Sequence, residues 1–127
     1  MRTQLAQRKN QRIRITTEII KITPIKKAKN TIYKLALRNI TSTEFTGKVN
    51  HLYVSISAAS LPKDDLLILE TLAKKQKHPK DEKLSFVGTV YEYKYGTGHN
   101  LKLNKNNNVI KFNYSLNQIK KLKLVSA

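Results

Sequence analysis

The chain of 127 residues has no cysteine, which excludes disulfides and thiolate metal sites. Its three histidines, His51, His78 and His99, lie far apart in the sequence and make a poor ligand set, so no metal or other cofactor is expected. Acidic residues are scarce, at 8 Asp and Glu. Asp64 and Asp65, and Asp81 and Glu82, are adjacent in sequence and do not converge as paired catalytic carboxylates would; each pair suits a helix end instead. The "GTG" before His99 is too short for a phosphate loop, since neither GxGxxG nor GxxxxGK occurs. No nucleophile has an evident partner, and these absences together argue against an enzyme. No apolar run approaches the roughly 20 residues that span a bilayer. The stretch "MRTQLAQRKNQR" lacks the apolar block of a signal peptide, so the expectation is a soluble cytoplasmic protein with no membrane partner.

What the sequence does have is positive charge: 25 Lys and Arg give a net +17. Such an excess is costly in self-repulsion and reads as an electrostatic footprint for a polyanion, most simply a nucleic acid. Lysine supplies 20 of the 25, as AT-rich coding would produce, yet codon bias does not explain the shortage of acids. Residues 1–59 carry net +10, residues 60–82 are neutral, and residues 83–127 carry +7.

The neutral middle is also where the hydrophobic period changes. In "SLPKDDLLILETLAKKQKHPKDEK", Ser60 suits an N-cap, Pro62 a first turn, and Asp64 and Asp65 the positive end of a helix dipole. Leu66, Leu69, Leu72 and Ala73 share a face and Pro79 is a stop, which predicts one helix of about 12 to 15 residues. The flanks alternate as strands do. Ile13, Ile15 and Ile19 oppose Arg12, Arg14 and Glu18, with a phase shift at Ile20 and Ile22 that indicates a bulge. Tyr33, Leu35 and Leu37 oppose Lys34, Ala36 and Arg38; Leu52, Val54 and Ile56 oppose Tyr53. After the helix come "LSFVGTVYEYKY" and "NVIKFNYSL", with loops expected at "KKAKN", "TSTEFTGKVN" and "GTGHNLKLNKNNN", the last with room for a short strand at Leu101 to Leu103. Residues 1–11 read as a basic flexible arm and residues 12–127 as a single domain. The tail "NQIKKLKLVSA" suits a helix through Ile119, Leu122 and Val125, or a strand through Leu122 and Leu124.

Three strands, one helix and two strands, over roughly residues 12 to 125, resembles the order of the oligonucleotide-binding (OB) fold. The resemblance implies a mainly β protein, a five-stranded Greek-key barrel with its helix between the third and fourth strands. It also implies a binding face on the second and third strands, flanked by the loops "IKKAKN" and "YGTGHNLKLNKNNN". In size and charge balance the chain is similar to small single-stranded-DNA-binding proteins of phages and mobile elements.

The candidate contacts follow from that layout. Tyr53 faces outward if its strand buries Leu52, Val54 and Ile56, and Lys34 and Arg38 then lie beside it; a ring between cations can stack any base while the cations follow phosphates. In a regular strand Tyr91, Tyr93 and Tyr95 share one face, and Phe86 and Val90 the other. Either face could be the buried one, because a bulge at Gly88 would exchange them. The expectation is that the first one or two tyrosines help the core while Tyr95 reaches the ligand. Lys26, Lys27 and Lys29 form a loop cluster that either clamps phosphates or is solvated, and Arg12 and Arg14 suit both phosphate pairing and base stacking. Lys94 ends the strand beside Tyr95, and His99, Lys102 and Lys105 belong to the second loop, where His99 is a loop base, a stacking ring or an ordinary surface residue. Lys120, Lys121 and Lys123 read equally as a charge run that opposes aggregation.

Two partners compete for this pattern. One is a single strand of DNA, or of RNA, bound with little sequence preference. The other is a replication enzyme or ribonucleoprotein on which the chain docks as a basic accessory subunit. An exposed edge strand could pair with a second copy, while edge lysines oppose such pairing.

Overall fold

The computed structural model describes residues 3–95 and 111–126. Five antiparallel strands, β1 (Arg12–Lys27), β2 (Asn30–Ser42), β3 (Phe45–Ser57), β4 (Glu82–Tyr95) and β5 (Lys111–Ser126), form one sheet in the order β3-β2-β1-β4-β5. A helical turn α1 (Thr3–Ala6) precedes them, and a 3-10 turn (Ala58–Ser60) and helix α2 (Lys63–Ala73) join β3 to β4. β1 is shared: its first half pairs with β4 and its second half with β2. Because every pairing is antiparallel, the two edge strands β3 and β5 run in the same direction.

The alternating patterns produce the expected inward faces. Ile13, Ile15 and Ile19 of β1, Tyr33, Leu35 and Leu37 of β2, and Leu52, Val54 and Ile56 of β3 are all buried. The phase shift in β1 is a bulge between Ile19 and Lys21; it leaves Ile20 42% exposed and returns Ile22 to the core. In β4 the question of the buried face is settled by Leu84, Phe86 and Val90, which point inward. Gly88 shares their side because a Cβ there would stand 2.8 Å from Ile119 Cδ1 and 3.1 Å from Leu116 Cβ. Tyr91, expected to help the core, and Tyr93, expected either there or as a nucleic-acid contact, therefore lie half-buried on the outer face. The ambiguous tail is strand, not helix; left-handed residues at Gln118 (φ 51°) and Lys121 (φ 57°) accompany two register shifts that bend β5.

Of the 21 buried apolar side chains among the described residues, 18 come from strands. The helices supply the rest. Leu69 and Leu72 enter the core from α2, which packs on β1 and β5, and the Asp65 carboxylate accepts the Lys121 backbone N–H at 2.9 Å. Helix α2 is 11 residues long with Pro62 at its N-cap position; Ser60, expected as the cap, lies in the 3-10 turn and donates its hydroxyl to the Ser57 carbonyl. Leu5 of α1 is fully buried against β3, β4 and β5. The segment expected as a flexible arm is thus docked over part of its length: Gln4 Nε2 donates to the Lys48 carbonyl, Asn10 and Gln11 exchange backbone bonds with Val90, and Lys9 pairs with Glu92 at 3.2 Å. The physical reason is the apolar Leu5, which has a fitting place among three strands.

The edge strands approach one another, and the Ser115 hydroxyl of β5 donates to the Tyr53 carbonyl of β3 at 2.9 Å. Thr17, Ser85 and Ser115, the buried polar side chains among the described residues, all hydrogen bond to backbone carbonyls, which offsets the cost of burying them. Among the described residues no helix is long and apolar enough to cross a membrane.

Candidate nucleic-acid interface

Cross-strand pairs place outward side chains in transverse rows, because directly opposed residues share a face. One row is Tyr53 on β3, Ala36 on β2 and Lys21 on β1; the next is Ser55, Lys34 and Thr23; on the other side stand His51, Arg38 and Glu18. Tyr53 is 65% exposed because its neighbours Leu52 and Val54 take the inward positions. Ala36 directly beside it has no bulk to cover the ring. The result is an open groove of about 410 Å³ lined by Lys21, Thr23, Lys34, Ala36, Tyr53 and Ser55, with backbone-side contributions from Leu35 and Val54.

The charges around the groove differ in how far they are already neutralised. Lys21 and Lys34 are exposed and form no ion pair among the described residues. The same holds for Lys26, Lys27 and Lys29. These three stand at the tip of the β1–β2 hairpin, whose turn is only Ala28 and Lys29, so the expected loop is a compact strand end. Ala28 takes the left-handed conformation at φ 52° that so tight a turn requires. The loop expected between the second and third strands is likewise reduced to Thr43 and Glu44, with Phe45 already in β3. Arg38, by contrast, is committed: its Nε meets Glu18 at 3.3 Å. The Asn39 amide, then the Arg38 guanidinium, hold the Glu18 carboxyl below its ordinary range.

Arg12 and Arg14 do not join this groove. They belong to the β4-paired half of β1, opposite Thr89 and Val87. Arg12 Nη1 donates to Thr89 Oγ1 at 2.8 Å and to the Gln118 carbonyl at 3.2 Å; Arg14 Nη1 donates to Ser85 Oγ at 3.0 Å and to the Lys121 carbonyl at 3.3 Å. Both guanidiniums thus stitch β1 across β4 to the bent residues of β5. Tyr93 stands on the outer face of β4 beside Tyr91, ring centroids 5.8 Å apart and tilted by 41°. Lys94 and Tyr95 end β4, opposite Phe112 and Lys111. The side chains of Lys94 and Tyr95, together with His99, Lys102 and Lys105 and the short strand expected at Leu101 to Leu103, lie outside the described residues.

Sequence reasoning missed Lys21, although the signal was present: the same bulge that exposes Ile20 turns Lys21 into the row of Ala36 and Tyr53. It also missed Glu92, whose carboxyl is held below its ordinary range by the Tyr114 hydroxyl at 2.7 Å, then by Lys9. No group of three or more His, Asp or Glu among the described residues is placed to hold a metal. No protein-family model, curated protein or solved structure matches this chain.

Proposed function

We propose that this protein is a non-catalytic binder of single-stranded nucleic acid, DNA in the first instance, with little sequence preference. The observation that carries the reading is Tyr53, a 65% exposed ring beside the small Ala36, with Lys34 and Lys21 on the next two strands forming no ion pair among the described residues. A base laid on that ring is held through its π face, which every base has, and Lys21 and Lys34 stand where phosphates would run. The hairpin-tip lysines extend the same charge beyond the groove. We also propose that the sheet closes as a five-stranded barrel of OB type. In support, β3 and β5 run in the same direction and meet at the Ser115–Tyr53 bond, and α2 lies between β3 and β4.

A stacking platform needs an unpaired base, whereas bulk charge does not. At moderate salt, anisotropy of labelled oligonucleotides is expected to give at least about ten-fold tighter binding to a single strand than to the duplex of the same sequence, since stacking contributes about 1–3 kcal/mol per base. Equal binding to both would leave only non-specific charge and favour docking on a protein of a nucleic-acid assembly.

A further inference from the structure

The candidate contacts fall on two neighbouring parts of the sheet. Tyr53, Lys34 and Lys21 lie on β3, β2 and β1; Arg12, Tyr91 and Tyr93 lie around β4. The link between the two is Ser115. It is the cross-strand partner of Tyr91 in β5, and its hydroxyl bonds to the Tyr53 carbonyl in β3. Tyr91 is thus connected through Ser115 to the backbone of Tyr53 where the two edge strands approach. Paired strands lie about 4.8 Å apart and alternate residues about 7 Å apart, which sets the step from Tyr91 to Ser115 and the further step to Tyr93 along β4. These are distances that successive nucleotides of one strand can cover.

Resting on the single-strand reading above, we infer that Tyr91 and Tyr93 are a second stacking station, and that a bound strand passes from Tyr53 over Ser115 to β4 instead of remaining on β2 and β3. Both tyrosines face outward and half-buried, while the inward positions of β4 are filled by Leu84, Phe86, Gly88 and Val90. Their tilt of 41° at 5.8 Å leaves no slot for a base between the rings, but presents a shelf on which a base can lie. Arg12 supplies the charge there. Its partner Thr89 is two residues from Tyr91 on the same face, and the hydrogen bonds of Arg12 among the described residues use Nη1, which leaves Nε and Nη2 as donors for a phosphate.

The test is photocrosslinking of the full chain to a single-stranded oligonucleotide carrying 5-iodouracil throughout, with the crosslinked residues identified by mass spectrometry. Crosslinks at Tyr53 and at Tyr91 or Tyr93 are expected. Crosslinks at Tyr53 without either β4 tyrosine would overturn the second station and leave the single-strand reading intact; binding with no crosslink at any of the three would overturn both. A length series provides the second arm. The Tyr91→Leu/Tyr93→Leu double variant, checked for an unchanged unfolding midpoint, should bind an oligonucleotide of about twelve nucleotides about ten-fold more weakly. It should bind one of about four, filling only the Tyr53 groove, within about two-fold of the parent. Equal effects at both lengths would contradict the inference.

Discussion

Raising salt from about 50 to 200 mM is expected to weaken binding of a single-stranded oligonucleotide roughly a hundred-fold. Five lysines, Lys21, Lys26, Lys27, Lys29 and Lys34, are exposed around the groove and hairpin tip without an acid partner among the described residues. Each phosphate neutralised on a single strand contributes about −0.7 to the slope of log affinity against log salt, so five contribute about −3.5. Arg38 is left out because Glu18 already neutralises it. Replacing Lys34 by Gln should flatten the slope by about 0.7 and weaken every oligonucleotide sequence alike, because a phosphate contact carries no base information. A slope near zero would contradict the account. A slope several times steeper would mean that the whole +17 acts diffusely.

Replacing Phe86 by Ala is expected to lower stability by about 3–5 kcal/mol, from the lost transfer of the ring and the cavity it leaves. Phe86 is fully buried in the middle of β4, opposite Ile15, and is the largest of the fully buried side chains. The loss would be a large share of the roughly 5–15 kcal/mol typical of a domain. Urea unfolding followed by circular dichroism measures it: the midpoint should fall with little change of slope. A loss under about 1 kcal/mol would show that the even-numbered side of β4 is not packed as described.

The strands were legible because period-2 alternation is a local pattern, and the single helix because its acids, leucines and Pro79 each mark one part of it. What decided the face of β4 was not local. Phe86 and Tyr91 are both large and aromatic, and the choice between them rests on the close approach of Leu116 and Ile119 to Gly88. No inspection of "VYEYKY" reveals a strand placed some thirty residues later. Tyr53 was found because its neighbours Leu52 and Val54 are apolar on both sides. Arg12 and Arg14 were read as nucleic-acid contacts because residue type suggests phosphate pairing, yet they also bond to hydroxyls of β4 and to carbonyls of β5 at its bent residues Gln118 and Lys121. Glu18 could not be tied to Arg38 from the sequence for the same reason: the two meet through the register of β1 on β2. Leu5 was passed over because one apolar residue in a basic segment has no period to betray it.

The claim on which the rest depends is that the Tyr53 ring itself carries binding, and the most direct measurement is the affinity of Tyr53→Ala and Tyr53→Phe for one single-stranded oligonucleotide at one moderate salt concentration. As an exposed residue, Tyr53 can be changed within about 0.5 kcal/mol of parent stability, so altered binding would not reflect unfolding. The account predicts about ten-fold or greater loss for alanine and near-parent affinity for phenylalanine, which keeps the stacking face and removes only the hydroxyl. Parent-like binding by the alanine variant would contradict it, and the groove between Lys21 and Lys34 would then be only a charged surface.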